Sequence, residues 1–355
     1  MDAIYYEDSE NFVGERNRVV PQAHSLANAK FFGGHDDIRQ RLVDDFERPR
    51  LENIRRLKGE YAALVEPQTA LTYLFERDGR CTKINYSRNE GWAKTRDEYC
   101  NGEEFARFRD GLLQNWDSMQ LIPSMPLLSC QMHHNLFHFM FDLLGKLANY
   151  PEEETQDYAI SLGMIQFLFQ RTMTIRMAGS RRLYPLRNSV RVIDPMVTSN
   201  AFHDRGFEWL RNAAKFPQVA STRKIYIRRT KSTWGRTGCI VEDEAFLRFL
   251  RDHNFDIIDL GLGELTFDQQ IGMLSGARVI LTPHSSSLAN FIYLTNPVSI
   301  VEILGTRWAW PPTLELSMAL GFKWYGIFED RYDERGDIHV DVDRLHEIMK
   351  MVAAE

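Results

Sequence analysis

The sequence predicts an α/β protein of two Rossmann-like lobes, and three observations carry that expectation. From "KIYIRR" (224–229) onward, short apolar runs alternate with amphipathic stretches, the pattern of parallel strands joined by covering helices. A chain of 355 residues with 44% hydrophobic content can bury two cores of ordinary size. Between the halves, residues 200 to 222 are mixed and polar, including "RNAAKFPQVAST". The boundary is therefore set at 205/206, giving lobes 1–205 and 206–355.

In the first lobe, "AALVE" and "ALTYLFE" between residues 62 and 76 read as strands, with a turn at Asp78-Gly79. "FARFRDGLLQNW" has helical spacing, "HHNLFHFMFDLLGKLANY" is a longer apolar helix, and "VRVID" is a short strand. In the second lobe, strand "KIYIRR" leads to helix "EDEAFLRFLRDHN", strand "FDIIDL", helix "TFDQQIGMLSGA", strand "RVILT", helix "SSLANFIYL" and strand "SIVEIL". "FKWYGIFE" and a terminal helix, "DVDRLHEIMKMVAAE", follow. That last helix is also able to pack back on the first lobe.

Composition narrows the function. With 43 basic against 49 acidic residues and a formal charge of −6, the chain is no polycation for a phosphate backbone, which argues against nucleic acid as a partner. Cys81, Cys100, Cys130 and Cys239 form no CxxC pair and no disulfide-dense pattern, so reduced thiols are expected. "MDAIYYEDSENFVGERNRVV" at the start carries acids throughout and lacks the apolar core of a signal peptide or the ~20 apolar residues of a membrane span. A soluble, cytoplasmic protein without a transmembrane segment is the expectation.

The chemistry concentrates in "VILTPHSSSLANFIYLTNPVSIVEIL", where a buried-looking strand stops at Pro283, His284 and three serines, Ser285, Ser286 and Ser287. In parallel sheets, ligands bind beyond the carboxyl ends of strands, where a loop enters a helix. Serines cap such a helix, its outward N–H groups and dipole favour an anion, and His284 adds a donor that can become cationic. Two readings stand open there: a diphosphate cradle, or a serine-capped helix with His284 bonded locally.

That stretch resembles the His-Gly-Ala-Gly-Leu-x-Asn region of glycosyltransferase family 61. His284, Leu288, Asn290 and the strand-borne Glu302 match, while the three serines stand where the family usually has Gly, Ala and Gly. "KIYIRRTKSTWGRTGCIVEDEAFLRFL" resembles the family's strand, second arginine and helix start through Arg229, Arg236, Glu242 and Glu244; Arg228 and Val241 depart from it. "HHNLFHFMFDLLGKL" is similar to the family's Asn-x-Phe-His-x-x-x-Asp segment through Asn135, Phe137, His138 and Asp142. Together these motifs span roughly residues 130 to 325.

The resemblance implies an inverting glycosyltransferase of the two-lobed GT-B type. By that resemblance it would transfer a sugar of the xylose or N-acetylglucosamine kind from a UDP-sugar to a glycan or protein hydroxyl. The first lobe would take the acceptor, with His134 and Asn135 on that side. His138 and Asp142, four apart and so on one helical face, are the candidate bases. Arg229, Arg236, His284, the three serines, Asn290 and Glu302 would hold the donor, Glu302 through the ribose hydroxyls. Carboxylate-rich "HDD" (35–37) and "DRYDERGDIHVDVD" (330–343) make no clear metal signature, so no essential cofactor or metal is expected. Two readings stand open for Trp308 and Trp310, an aromatic surface for sugar or base stacking or side chains that pack the core. Two rivals remain, a non-catalytic glycan- or nucleotide-binding relative and a nucleotide-sugar epimerase or hydrolase.

Overall fold

A computed structural model describes residues 12–20, 25–47, 50–57, 60–66, 71–78, 81–84, 103–118, 125–127, 136–138, 140–141, 182–187, 190–193, 211, 219–229, 238–260, 265–308 and 312–354. In chain order the strands are β1 Phe12–Val20, β2 Ala29–Phe32, β3 Arg50–Leu57, β4 Glu60–Glu66, β5 Leu71–Phe75, β6 Cys81–Ile84, β7 Met125–Leu127, β8 Arg182–Arg187, β9 Val190–Ile193, β10 Arg223–Arg228, β11 Phe255–Asp259, β12 Ala277–Pro283, β13 Ser299–Gly305 and β14 Lys323–Glu329. Contacts divide the chain into two units, one of residues 1–20 with 50–201, the other of 21–49 with 202–355.

In the first unit the sequence suggested a second Rossmann-like lobe, yet its described strands pair mostly antiparallel. One sheet has the order β6-β5-β4-β8, all antiparallel, and the other β1-β3-β9-β7, where only β7 runs parallel to its neighbour. The helix Glu103–Gln114 lies where "FARFRDGLLQNW" predicted it. Of the apolar segment after His133, the helical turn Leu136–His138 is described, with Leu136, Phe137, Met140 and Phe141 buried.

The second unit is the expected parallel sheet. Six strands in the order β11-β10-β12-β13-β14-β2 all run the same way. Strands buried on both faces read as near-continuous apolar runs, which is why "VILTP" and "IVEIL" carry no alternation. One face is covered by the helices Glu244–Asp252 and Val342–Ala354, through a core that includes Tyr226, Phe246, Phe249, Leu281, Val301, Tyr325, Leu345, Ile348 and Met349. The terminal helix packs into this unit's core, because Leu345, Ile348, Met349 and Val352 form one apolar stripe at helical spacing. The helices Phe267–Leu274 and Pro312–Ala319 both contact the 3-10 helix Ser286–Tyr293. That segment was expected to be an ordinary α-helix.

Residues 21–49, assigned above to the first lobe, belong to this second unit. Strand β2 extends the sheet beside β14, and the helix Asp36–Glu47 buries Ile38, Leu42 and Phe46. Helix starts follow their caps. Asp243 accepts from the Phe246 N–H at 2.9 Å, and Thr266 and Gln269 form a reciprocal capping box. Among the described residues, no helix is long and apolar enough to cross a membrane.

Candidate functional site

The strand order reverses between β10 and β12: the chain leaves β10 for β11 on one side, then crosses back to place β12 on the other. In open parallel sheets this reversal splays the following connections to opposite faces and opens a crevice beyond the carboxyl ends. Arg229 follows β10 there, and His284 follows β12. The two are joined, since the Arg229 Nη1 donates to the His284 carbonyl at 2.7 Å. Gly238 faces them with φ +101°, a left-handed conformation that suits glycine, its Cα side 3.6 Å from Arg229 Nη1 at the position a Cβ would take.

His284 is further held by its own N–H, which donates to the Ile303 carbonyl at 3.2 Å, and by its ring, whose Nδ1 lies 2.8 Å from Glu302 Oε1. Its side chain keeps 26% exposure, while that of Glu302 has none. Ser285 caps the following 3-10 helix, accepting from the Ser287 N–H at 3.4 Å, and its Oγ lies 3.0 Å from the Ser287 Oγ. Ser285 is extended, φ −154° and ψ 151°, so a serine takes this position without left-handed strain. All three serines are half-buried.

Two residues read as donor ligands are placed elsewhere. Glu302 was expected at the ribose hydroxyls, yet it is 0% exposed and both oxygens are engaged, Oε2 by the Trp324 Nε1–H at 2.8 Å. It therefore acts on His284. Asn290 is also 0% exposed and donates to Gln270 Oε1 at 2.8 Å, while Gln270 donates to the Leu260 carbonyl at 3.4 Å; Asn290 fastens one helix to the next. An alternating in-and-out pattern would have betrayed both, and a strand and helix buried on all sides carry none.

The sequence reading missed a second cluster beside β10. Arg228 grips Glu242 bidentately at 2.7 and 2.6 Å, and the Tyr226 hydroxyl donates to Glu242 Oε1 at 3.1 Å. Burial, then the Glu242 charge, pushes the Tyr226 hydroxyl up out of the ordinary tyrosine range, so it stays a donor. Glu242 was read as a motif residue; here it anchors the loop return after β10. Arg307 lies over the Tyr332 ring at 4.2 Å beyond the end of β13, an exposed cation on an aromatic that no sequence spacing signals.

His134, Asn135, Asp142, Arg236 and Trp310 lie outside the described residues, as do the side chains of His138 and Trp308. His138 itself ends the helical turn Leu136–His138. Among the described residues, no group of three or more His, Cys, Asp or Glu stands together to hold a metal ion.

Arg229 and His284 thus stand at the switch point of a parallel sheet, the place where ligands of such sheets bind. Residues 136–301 match the family model described as Glycosyltransferase 61, the family that the motifs above resemble. The match supports a glycosyltransferase, with a sugar donor and an acceptor as its substrates. No curated protein matches the chain.

Proposed function

We propose that the chain is an inverting glycosyltransferase that takes its sugar from a UDP-sugar bound at the carboxyl ends of β10 and β12. The observation that carries this reading is the Arg229 to His284 contact at the strand-order reversal, inside the span of the family match. A departing nucleoside diphosphate develops charge that cations and N–H groups must neutralise. Arg229, Arg236, His284 and the start of the 3-10 helix at Ser285 to Ser287 are assigned that task, which asks for no metal. His138 or Asp142 takes the proton from an acceptor hydroxyl of a glycan or protein. The oxygen then attacks C1 from the side opposite the diphosphate, so one displacement inverts the configuration. The two-lobed GT-B organisation and a cytoplasmic setting belong to the same reading.

Calorimetry with UDP tests the donor site. His284→Ala and Arg236→Ala each remove a proposed diphosphate ligand and should weaken UDP by roughly ten- to a hundred-fold. Unchanged affinity in both, with the fold intact, overturns the assignment. Turnover of UDP-sugars with and without acceptor glycans tests the reaction. UDP release that depends on acceptor supports transfer, free sugar without acceptor favours a hydrolase, and binding without turnover favours a non-catalytic relative.

A further inference from the structure

The His284 ring is set by residues behind it that no motif marks. Glu302 on β13 stands opposite Gly326 on β14, and Ile300 opposite Trp324, so Trp324 lies one same-face step back from the glutamate. Its indole reclines over Gly326: a Cβ there would clash with the six-membered ring of Trp324. Phe31 of β2, paired with Gly326 on the other side, meets the indole edge-on with centroids 5.4 Å apart and planes at 67°. Trp324 is 1% exposed, and this seat points Nε1–H at Glu302 Oε2, 2.8 Å away. An indole N–H can only donate, so Oε2 accepts. A carboxylate that also accepts at Oε1 places the ring hydrogen of His284 on Nδ1.

We propose that Trp324, acting through Glu302, is a positioning residue that holds His284 as the Nδ1–H tautomer and leaves Nε2 as the ring atom available to a ligand. The second half of that statement rests on the donor-site reading above. With Nδ1 committed to the carboxylate, a neutral ring offers a lone pair at Nε2, and a protonated ring offers an N–H to a phosphate oxygen.

The test is nuclear magnetic resonance on the full chain carrying ring-labelled histidine, with His284 assigned by the signal lost in His284→Ala. The wild type is expected to show the hydrogen on Nδ1 in the neutral ring. Glu302→Gln is nearly isosteric. Its amide oxygen should turn to the Trp324 N–H and its NH₂ to Nδ1, moving the ring hydrogen to Nε2. Trp324→Phe and Gly326→Ala, which remove or displace the indole N–H, should both give mixed tautomers and weaken UDP about two- to ten-fold. Hydrogen on Nε2 in the wild type overturns the proposal, as does a Glu302→Gln protein that keeps Nδ1–H. Folded Trp324→Phe with wild-type tautomer and UDP affinity overturns it too. If the tautomers shift as expected but UDP leaves the wild-type His284 signals unmoved, the donor-site reading alone falls.

Discussion

Ser285 takes extended backbone, so glycine there gains no conformational relief. Restoring the family's residue with Ser285→Gly removes the cap to the Ser287 N–H and should cost only a few tenths of a kcal/mol. UDP affinity should change far less than the ten-fold that about 1.4 kcal/mol represents. A large gain in affinity on calorimetry would show that the serines impair the loop. At Glu242 the expectation is the reverse. Glu242→Ala strips the partner from a Tyr226 hydroxyl that is 1% exposed and should destabilise the unit by about 1–3 kcal/mol, read as a lower denaturant midpoint with the m-value unchanged.

At the scale of elements, the helix Phe267–Leu274 depends on its capping box, whose bonds measure 3.3 Å for Gln269 N–H to Thr266 and 2.7 Å for the reciprocal one. Thr266→Ala should cost about 1 kcal/mol in chemical unfolding. The helices Glu244–Asp252 and Val342–Ala354 meet at a histidine pair, His253 Nε2 lying 3.0 Å from His346 Nδ1. Burial first, then His346 and Lys224, holds the His253 ring below the ordinary histidine range. The unfolded chain thus takes its proton near pH 6.5, before the native ring does. This contribution to stability is whole above about pH 6.5 and is lost as pH falls through the lowered native value. Unfolding midpoints measured across that window should drop with acid in the wild type and drop less steeply in His253→Asn.

The same scale shows what the sequence made legible. β10 to β13 stood out as apolar runs between turn residues, and the helices Glu244–Asp252 and Phe267–Leu274 showed apolar stripes at helical spacing, whereas Pro312–Ala319, buried all round, was not read as a helix. The segment Ser286–Tyr293 misled because Leu288, Ala289, Phe291 and Ile292 are all buried at once, leaving no period to separate a 3-10 helix from an α-helix. At the site, His284 and Arg229 were legible from their positions after strands. The burial of Glu302 was not, since its partner Trp324 is remote in sequence. One signal was there to be used: in "KWYGIF" a glycine follows tryptophan on the same face of a strand, which marks space for the indole to lie down.

For the whole molecule, the decisive departure is β2. "AKFF" is four residues long with a lysine in it, too brief to announce a strand, yet it closes one edge of the sheet. Without residues 25–47, β14 loses one of its two neighbours and becomes the sheet edge, and the surface covered by Ile38, Leu42 and Phe46 is exposed. A fragment of residues 206–355 is therefore expected to aggregate or unfold cooperatively at much lower denaturant than the full chain. Adding a peptide of residues 25–47 should raise its midpoint in proportion to occupancy. A fragment as stable alone as within the full chain would refute the assignment of that segment.

The place of β2 also sets a timetable. Roughly 290 residues separate Phe32 from Lys323, the start of the strand it pairs with. At about 5–20 residues per second, a ribosome needs on the order of fifteen seconds to a minute to make them. Throughout that interval the four residues have no template, and residues 50–201 of the first unit are synthesised between the two halves of one pairing. Closing so long a loop costs entropy that no local contact returns, so the β2 to β14 edge should be the last part of the sheet to form on the nascent chain. Until it forms, the indole of Trp324 lacks Phe31 at its side, and the residue that steadies His284 is left open to water.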